Sequence, residues 1–485
     1  MAGDMKQIYL DHSATTPVHS EVLEAMLPYF GDLFGNPSSI HSFGQDAKKA
    51  LDEARDKVAS LINADPSEIV FTSGGTEADN LAVIGVAYVR EEKNHIITTS
   101  IEHPAVLNTC EYLERKGFKV TYLPVDRYGL VDPDDVKRAI TAETAIISIM
   151  HANNEIGTIE PIEEIGRIAE ENGISFHTDA VQTVGNIPVN VSALNVDLLS
   201  LSGHKIYGPK GIGALYIRKG TRIAPILYGG HHERDLRAGT ENVPGIVGLG
   251  RACEIASRDL TSQMDYLRNL RDRLENGIMD RIDRIRVNGH PSQRLPHILN
   301  VSFESIEGEP VILYLDMKGI AASAGSACTS GAIESSHVLK ALGIPPDIAR
   351  GSVRFSLGRK NTEKEVDYVI GALVDIVGHL RDVSPRVDAI DLKKQCAITF
   401  YEVPDALRAE KVLKGKGLKF TLSSVPPQIS RPSCCGVALL FSCEDREEVG
   451  DFLKEQDVEV EGIYQLEGNN VLPKRKKRKF LPFGG

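Results

Sequence analysis

The sequence lacks the features that mark membrane and secreted proteins. No apolar run approaches the roughly 18 residues that a membrane-spanning helix needs, and the first residues contain no hydrophobic signal segment. The seven cysteines among 485 residues are odd in number and mostly scattered, which excludes a secreted disulfide framework. We therefore expect no membrane association, a cytoplasmic location and free thiols.

An excess of positive charge is also missing. The net charge of -12 argues against a nucleic-acid-binding protein. One basic run, from Lys474 to Lys479, is expected to be a solvated tail, with contact to a nucleic acid or a protein partner as the alternative. The hydrophobic share of 42% and the charged share of 25% are those of an ordinary globular protein, and the length predicts about two to four domains.

What the sequence contains is a regular alternation of apolar segments and amphipathic helices in its first half. Strands separated by helices predict βαβ units and a mainly parallel sheet. The predicted strands are Glu68 to Thr72, His95 to Thr99, Lys119 to Pro124, Thr144 to Met150, Ile174 to His177 and Leu198 to Leu201.

Polar side chains follow the ends of several of these strands. Any one of them alone could be a helix cap or a turn residue. Because the carboxyl ends of parallel strands meet at one edge of a sheet, where such sheets bind ligands, several polar positions there favour a binding site. These positions are Glu102-His103, His151 with Asn153-Asn154, Asp179 with Gln182, and Ser202 to Lys205.

Two of these segments suit a phosphorylated carbonyl cofactor. Gly74-Gly75-Thr76 stands between a strand and a helix, where backbone N–H groups approach an anion, although a plain tight turn has the same pattern. Lys205 follows Ser202 and His204, which would suit the phosphate, and a lysine can bind a carbonyl cofactor covalently. An ordinary surface lysine is the alternative.

If Lys205 carries pyridoxal phosphate, other residues acquire roles. Asp179 would pair with the ring nitrogen, whose protonated form makes the ring an electron sink. His103 would lie against the ring face, Gln182 would donate to the phenolic oxygen, and Thr76 would bind the phosphate.

Two further segments suit an amino-acid substrate. Small residues surround one thiol in Ile320 to Gly331, which predicts a mobile loop around Cys328, although a packing turn with an inert cysteine is the alternative. A mobile thiol is needed if sulfur is to be taken from a bound amino acid. Arg354, in a strand-like segment, can grip an α-carboxylate, or else is a surface arginine.

Taken together, these motifs resemble those of the cysteine desulfurases that feed iron–sulfur cluster assembly, a branch of the fold-type I pyridoxal-phosphate enzymes. The matching motifs run collinearly from residue 8 to about residue 388. They are Tyr9 to Pro17, Phe71 to Glu77, Glu102-His103, Asn153 to Gly157, Asp179 to Gln182, Ser202 to Lys205, Arg237 to Thr240, Ser326 to Gly331 and Arg354 to Leu357.

The resemblance implies an α/β fold, with a mainly parallel sheet of the seven-stranded type covered by helices on both faces. It implies a large cofactor-binding domain over residues 16–260 and a smaller domain over residues 1–15 and 261–388. It makes Lys205 the cofactor lysine, Cys328 the nucleophile that becomes a persulfide, and His103 an acid or base. The implied cofactor contacts are Gly75, Thr76, His103, Asp179, Gln182, Ser202, His204, Lys205 and Thr240, and the implied substrate contacts are Asn36, Asn154 and Arg354.

The implied activity is the conversion of L-cysteine to L-alanine and a persulfide on Cys328, with no metal. Thr240 would reach the phosphate of the other subunit in a homodimer, and an iron–sulfur scaffold or another acceptor protein would take the sulfur. The alternatives are a selenocysteine lyase or another lyase or aminotransferase of this fold, and a non-catalytic sulfur-binding scaffold in which the C-terminal domain matters.

A separate C-terminal domain is predicted beyond a linker at Pro385 to Lys393. The βαββαβ pattern over residues 394–467 is typical of a ferredoxin-like domain, and residues 468–485 are expected to be a disordered tail. Pro426 to Ser430 and Ser433 to Leu439 resemble segments of small sulfur or selenium carriers. By this resemblance Cys434 or Cys435, and foremost Cys435, would accept sulfur from Cys328 by exchange. Packing or metal binding is the alternative.

Overall fold

The computed structural model describes residues 7–90, 92–324, 336–383, 395–418, 420–425, 429, 437–467 and 470–471. Cys328, Cys434, Cys435 and the basic tail lie outside the described residues. In the first part of the chain the helices and strands are β1 (Ile8–Tyr9), α1 (Ser20–Met26), α2 (Ser42–Ile62), β2 (Ile69–Thr72), α3 (Gly75–Val89), β3 (His95–Thr99), α4 (Pro104–Glu114), β4 (Lys119–Leu123), α5 (Pro133–Ala139), β5 (Thr144–Ser148), α6 (Ile162–Glu171), β6 (Ser175–Asp179), α7 (Val191–Leu194), β7 (Leu198–Ser202), β8 (Gly213–Ile217) and α8 (Val243–Arg281).

The remaining helices and strands belong to the second and third parts of the chain. The second part contains β9 (Ile285–Asn288), β10 (Ile298–Phe303), α9 (Gly308–Met317), β11 (Ile320–Ala321), β12 (Ser323–Ala324), α10 (His337–Ala341), α11 (Pro346–Ala349), β13 (Ser352–Ser356) and α12 (Glu363–Val383). The third contains β14 (Gln395–Thr399), α13 (Val403–Lys416), β15 (Phe420–Ser424), β16 (Val437–Ser442), α14 (Arg446–Glu455), β17 (Gly462–Glu467) and β18 (Asn470–Val471).

A seven-stranded sheet forms the centre of the first part, in the order β2-β8-β7-β6-β5-β3-β4. Successive residues such as Ile96 and Ile97 are fully buried and belong to two different apolar clusters, one on each face of the sheet. A sheet that is buried on both faces by helices is typical of mainly parallel α/β proteins. The predicted fold class is therefore confirmed.

Strand β8 was not predicted from the sequence. It is antiparallel to both of its neighbours, β7 and β2, whereas the strands from β7 to β4 pair in parallel. No helix separates β8 from β7, so the alternation that indicated the other strands is absent here. All five residues of β8 are nevertheless buried.

The second part of the chain forms a smaller antiparallel sheet, in the order β12-β13-β10-β9. The N-terminal arm, residues 7–15, joins it at β13, where the Leu10 carbonyl accepts from the Ser356 amide at 2.7 Å. Strand β1 of the arm pairs in parallel with β11 in a separate two-stranded sheet. Helix α8, expected over residues 246–285, packs against α1 and α2 at one end and against α12 and β10 at the other. It therefore connects the two sheets.

The C-terminal unit, residues 395–471, is an antiparallel sheet in the order β15-β16-β14-β17-β18. Helices α13 and α14 follow β14 and β16, so the chain runs through the βαββαβ order that the sequence predicted. The first and third strands of that order, β14 and β16, are adjacent in the middle of the sheet. This is the strand arrangement of a ferredoxin-like domain.

The expectation that every cysteine is a free thiol is wrong for one pair. Cys396 and Cys443 form a disulfide with their Cα atoms 4.9 Å apart, within the usual range of about 4.4–6.8 Å. Antiparallel pairing of β14 with β16 sets Cys396 opposite Phe441, so that Cys443 is a diagonal neighbour. The two cysteines are 47 positions apart in the sequence, and this spacing did not reveal the pair. Cys110 and Cys253 are free and buried.

No helix among the described residues is long and apolar enough to cross a bilayer.

Candidate active site

Lys205 lies just beyond the carboxyl end of β7. A short 3-10 turn over Gly203–Lys205 follows the strand and brings the lysine back over the sheet edge. Its Nζ donates to the carbonyl oxygen of Ser13, and to that of Ala14 at 2.9 Å. The N-terminal arm thus holds the amine at the carboxyl edge of the central sheet.

The environment of Lys205 favours its neutral form. Burial, assisted by the positive charge of Arg354, lowers the pKa of Lys205 from 10.5 to about 8, although the negative charge of Asp179 opposes the shift. An amine with such a pKa is partly neutral near pH 7 and 8. It can therefore act as a nucleophile toward a carbonyl group.

Asp179 ends the neighbouring strand β6 and is only 7% exposed. Its Oδ1 accepts from the Val181 amide at 2.9 Å. Burial raises the pKa of Asp179, and the nearby charges of His103 and Lys205 lower it again. A buried carboxylate of this kind is well suited to a cationic ring nitrogen.

His103 begins helix α4 as its N-terminal cap. Its Nδ1 accepts from the Ala105 amide at 3.1 Å, which leaves the ring proton of the neutral imidazole on Nε2. Burial lowers the pKa of His103, while the charge of Asp179 raises it. A neutral His103 beside Asp179 and Lys205 can donate from Nε2, and it can accept a proton at Nδ1 once the ring releases the Ala105 amide.

Gln182 belongs to the same group of residues. Its Nε2 donates to the Ser13 carbonyl at 3.1 Å, the oxygen that also accepts from Lys205. His204 faces the arm instead, since its Nδ1 is 3.2 Å from Thr15 Oγ1. Burial and the charge of Lys205 lower the pKa of His204 to about 4, so its ring is neutral.

The start of α3 lies against the end of β7. A Cβ on Gly75 would stand 2.7 Å from Val181 Cγ2 and 3.6 Å from the Cβ of Ser202, so only glycine fits there. Thr76 is exposed in the first turn of this 15-residue helix. The free N–H groups of the first turn and the Ser202 hydroxyl together suit an anion such as a phosphate.

Arg354 lies in the middle of β13 and is 8% exposed. Its Nη1 donates to the Asn154 carbonyl at 3.0 Å, and its Nη2 donates to Asp11 Oδ1 at 2.9 Å. Its charge contributes to the lowered pKa of Lys205, which places the guanidinium close to the amine. Arg354 and Asn154, both predicted to bind substrate, are therefore adjacent.

These residues fit pyridoxal phosphate. Lys205 supplies an amine with a lowered pKa for the aldehyde, Asp179 supplies a buried anion for the ring nitrogen, and Gly75 and Ser202 leave an anion site at the start of α3. All three groups lie at the carboxyl edge of one sheet.

Comparison with known proteins agrees with this fit. Residues 8–369 match the family described as aminotransferase class-V. The cysteine desulfurase IscS of Methanosarcina thermophila is 58% identical over 386 residues, which are 79% of this chain and 95% of that protein. The IscS of Dictyoglomus turgidum is 54% identical over 381 residues, 78% of this chain and 97% of that protein.

The chain belongs to the cysteine desulfurase branch of the class-V aminotransferases.

Solved structures of this family have the same fold. A NifS-like protein superposes with a TM-score of 0.73 at 42% identity, covering 77% of this chain and all of that one. A cysteine desulfurase from Thermococcus onnurineus gives 0.69 at 29% identity, covering 77% of this chain and 95% of that one. Residues 395–465 match a second family, described as Se/S carrier protein-like. The predicted desulfurase class, its pyridoxal-phosphate cofactor and the carrier-like C-terminal domain are confirmed.

The desulfurase site does not gather every predicted residue. Asn36 is exposed, and its Oδ1 accepts locally from the Ser38 amide at 2.9 Å. Thr240 is exposed in the loop before α8, three residues after Arg237, whose Nε pairs with Glu77 at 2.9 Å. The roles assigned to the individual site residues, those of Asn36, Thr240 and Cys328 included, stay predictions.

Sequence reasoning missed two acidic residues of the site. Asp11 lies in the matched motif Tyr9 to Pro17 but was assigned no role, and it pairs with Arg354. Asp79 is 1% exposed on α3, and its Oδ1 lies 3.6 Å from His177 Nε2. Burial and the charge of Asp179 raise the pKa of Asp79 well above its usual value. An acid just before the apolar part of α3 was the available signal.

Proposed function

We propose that this chain converts L-cysteine to L-alanine and carries the released sulfur as a persulfide on Cys328, for iron–sulfur cluster assembly or another thio-cofactor. The observation that carries this proposal is that Lys205 and Asp179, at the carboxyl edge of the central sheet, lie close to Arg354 of the smaller sheet. The 54–58% identity to cysteine desulfurases over most of the chain supports it.

Arg354 would bind the substrate carboxylate. A guanidinium offers two parallel N–H donors to a carboxylate, and the Asp11 carboxylate and Asn154 carbonyl fix its orientation. Because Asp11 already shares the guanidinium, the substrate must join this pair or displace it. That contact would hold the α-carbon near Lys205.

Lys205 and His103 would move the protons. Bound pyridoxal phosphate supplies an electron sink for the negative charge that develops at the α-carbon. The Lys205 amine, with a pKa of about 8, can take the α-proton and return a proton near neutral pH. His103, neutral and close to Asp179, can accept the proton of a thiol at Nδ1 once its ring releases the Ala105 amide.

The transfer of sulfur would take place at Cys328. Its thiolate attacks the substrate sulfur, an S–S bond forms, and the C–S bond breaks with its electron pair left on carbon. Protonation of that carbon then gives alanine, so no external oxidant is needed. Ala324, the last described residue before Cys328, pairs with Val353 beside Arg354. Four residues of chain reach at most about 14 Å from there.

A homodimer is part of this proposal. Thr240 is exposed, and the nearby apolar side chains of Phe34, Ile40 and Tyr228 are exposed by 69%, 95% and 79%. The loops around these side chains border one cleft. The residues that line the cleft include Pro37, Ser38, His231 and His232. A partner subunit covering this cleft would bring Thr240 to its neighbour's cofactor. The cytoplasmic location stays a prediction.

We further propose that sulfur moves within the chain from Cys328 to Cys435. Cys328 follows β12, whose Ala324 pairs with Val353 near the start of β13. The amide of Gly308, at the start of α9, donates to the Arg350 carbonyl at 2.8 Å, just before β13. The chain therefore leaves β12 toward the N-terminal end of α9.

The segment that carries Cys434 and Cys435 starts at the same place. Ser423, near the end of β15, donates from Oγ to Glu307 Oε2 at 2.8 Å, directly before α9. The described residues that precede the cysteines in the sequence, Ala324 and Ser423, thus both lie toward the N-terminal end of α9. Thiolate attack on the outer sulfur of a persulfide would regenerate the Cys328 thiol and form a persulfide on the C-terminal unit.

Labelled L-cysteine tests both parts of the proposal. After one turnover the label should be on Cys328 and then on Cys435, as mapped by peptide mass spectrometry. Cys435→Ser should retain the label on Cys328, and Cys434→Ser is the matched control. Label confined to Cys328 in the unsubstituted enzyme would remove the intrachain relay. Selenocysteine should be compared as substrate, because the description of the second family names selenium and sulfur.

A further inference from the structure

The C-terminal unit contacts the body, which comprises the described residues between 7 and 383, at a buried carboxylate. Glu410, on α13 of the C-terminal unit, is 3% exposed. Its Oε1 lies 2.7 Å from His379 Nε2 on α12, and its Oε2 accepts from the hydroxyl of Tyr314 on α9. One carboxylate of the C-terminal unit therefore binds two helices of the body.

The two body residues also contact each other. The rings of Tyr314 and His379 meet edge to face with centroids 5.4 Å apart, and the Tyr314 hydroxyl lies 3.3 Å from His379 Nε2. Burial and the neighbouring Glu410 raise the pKa of Tyr314, so its hydroxyl keeps the proton that it donates. Two donors held in place cost little further order when the carboxylate binds.

Apolar packing accompanies this polar contact. Phe420 and Leu422 of β15 belong to the same buried cluster as Val311 and Leu315 of α9. The hydrogen bond from Ser423 to Glu307 lies at the N-terminal end of the same helix. The C-terminal unit is thus positioned along α9 from its start, near Glu307, to Tyr314 in its second half.

We infer that Glu410, with Tyr314 and His379, forms a docking clamp that aligns the C-terminal unit for intrachain sulfur transfer in preference to external acceptors. This inference rests on the relay proposed above. The clamp does not touch the cofactor site, so it acts on the destination of the sulfur and leaves alanine formation unchanged.

The clamp should show a measurable coupling free energy between Glu410 and His379. Replacing His379 leaves Oε1 of the buried Glu410 carboxylate unpaired, and replacing Glu410 leaves the His379 imidazole and the Tyr314 hydroxyl without their shared acceptor. Replacing both His379 and Glu410 by apolar groups removes the unpaired carboxylate and imidazole and leaves only the part-buried Tyr314 hydroxyl. Glu410 and His379 should therefore be strongly coupled. A double-mutant cycle measures such coupling directly.

The experiment compares His379→Leu, Glu410→Leu and the double variant in the full-length holoenzyme. Alanine formed in the first turnover should be unchanged in all three. Transfer of label from Cys328 to Cys435 should fall about tenfold in each single variant, while label released to dithiothreitol rises. The double variant should recover to within about threefold of the unsubstituted enzyme.

Hydrogen exchange and two further variants complete the test. Exchange at α9 should rise in the single variants and return in the double variant. Tyr314→Phe should give a smaller loss of transfer, because it removes one donor and keeps the ring. Tyr368→Phe is the matched control, since Tyr368 lies on α12 and donates to the Lys318 carbonyl within the body. If Glu410→Leu unfolds the C-terminal unit, the body variants His379→Leu and Tyr314→Phe still test the clamp.

The outcomes separate the clamp from the relay. Equal transfer of label in the unsubstituted enzyme and the single variants overturns the clamp alone. No label on the C-terminal unit of the unsubstituted enzyme overturns the relay and, with it, the directing role of the clamp. A double variant as impaired as the singles contradicts the coupling between Glu410 and His379.

Discussion

Nη2 of Arg354 donates to Oδ1 of Asp11 at 2.9 Å, which joins strand β13 to the N-terminal arm. The same arm presents the Ser13 and Ala14 carbonyls to Lys205. One extended segment therefore orients both the guanidinium that would bind the substrate carboxylate and the amine that would bind the cofactor.

Arg354→Lys should raise the KM for L-cysteine about tenfold or more and should change kcat less. A lysine offers a single point charge in place of the two-pronged contact, so binding of the carboxylate is lost. Steady-state alanine formation measures both constants. Arg273→Lys is the matched control, because Arg273 binds Asp367 through Nε and Nη2 at 2.8 and 2.9 Å on an exposed surface. An unchanged KM in Arg354→Lys would contradict the assigned role.

Reconstitution of the apoprotein should depend on pH through Lys205. Only the neutral amine reacts with the aldehyde of pyridoxal phosphate, and the pKa of Lys205 is about 8. The rate of cofactor incorporation should rise about tenfold per pH unit below 8 and level off above it. Asp179→Asn should move the midpoint lower, because the Asp179 charge raises this pKa. A rate independent of pH between about 6 and 8 would contradict a lysine with this pKa.

Glu102 should make the protein less stable as the pH rises. Burial raises the pKa of Glu102 from 4.5 to about 8, against hydrogen bonds from the Thr99 hydroxyl and the Met150 amide. Between these values the unfolded chain loses a proton that the folded chain keeps, so the free energy of unfolding falls as the pH rises from about 4.5 to 8.

Glu102→Gln should remove this contribution. Its free energy of unfolding, measured by denaturant titration, should fall less between pH 5 and 8 than that of the unsubstituted protein. Glu143→Gln is the control, since Glu143 is exposed and its pKa is lowered by Lys119. Identical pH profiles for Glu102→Gln and the unsubstituted protein would show that the buried acid is ionised in the folded state.

Reduction of the Cys396–Cys443 disulfide should destabilise the C-terminal unit. The 47-residue separation of the two cysteines corresponds to about 4 kcal/mol of lost constraint on the unfolded chain. Hydrogen exchange of β14 and β16 with and without a phosphine measures the change. The double variant Cys396→Ala, Cys443→Ala should not respond to the phosphine. Alkylation of both thiols in the native, unreduced protein would contradict the pairing.

The sequence predicted the sheet edge well because its signal is local. Asp179 and Lys205 each follow an apolar strand by a few residues, and parallel strands bring their carboxyl ends together without further information. Gln182, His103 and Gly75 also follow strands of this sheet by a few residues, so their position at its carboxyl edge could be predicted in the same way.

Contacts between distant segments were out of reach. Arg354 and Asp11 are 343 residues apart, and Glu410 and His379 belong to two different folding units. Strand β8 was missed because no helix precedes it, and the pairing of Cys396 with Cys443 depends on the register of β14 with β16. Such relationships are set by tertiary packing, and the periodicity of a single sequence carries no information about them.

The most direct measurement follows alanine and sulfide produced from L-cysteine by the unsubstituted enzyme, Cys328→Ala and Lys205→Ala. The account predicts stoichiometric alanine and sulfide from the unsubstituted enzyme in the presence of a reductant, and loss of both products in each variant. Sulfide release that persists in Cys328→Ala would contradict the assigned nucleophile, and turnover that persists in Lys205→Ala would contradict the assigned site.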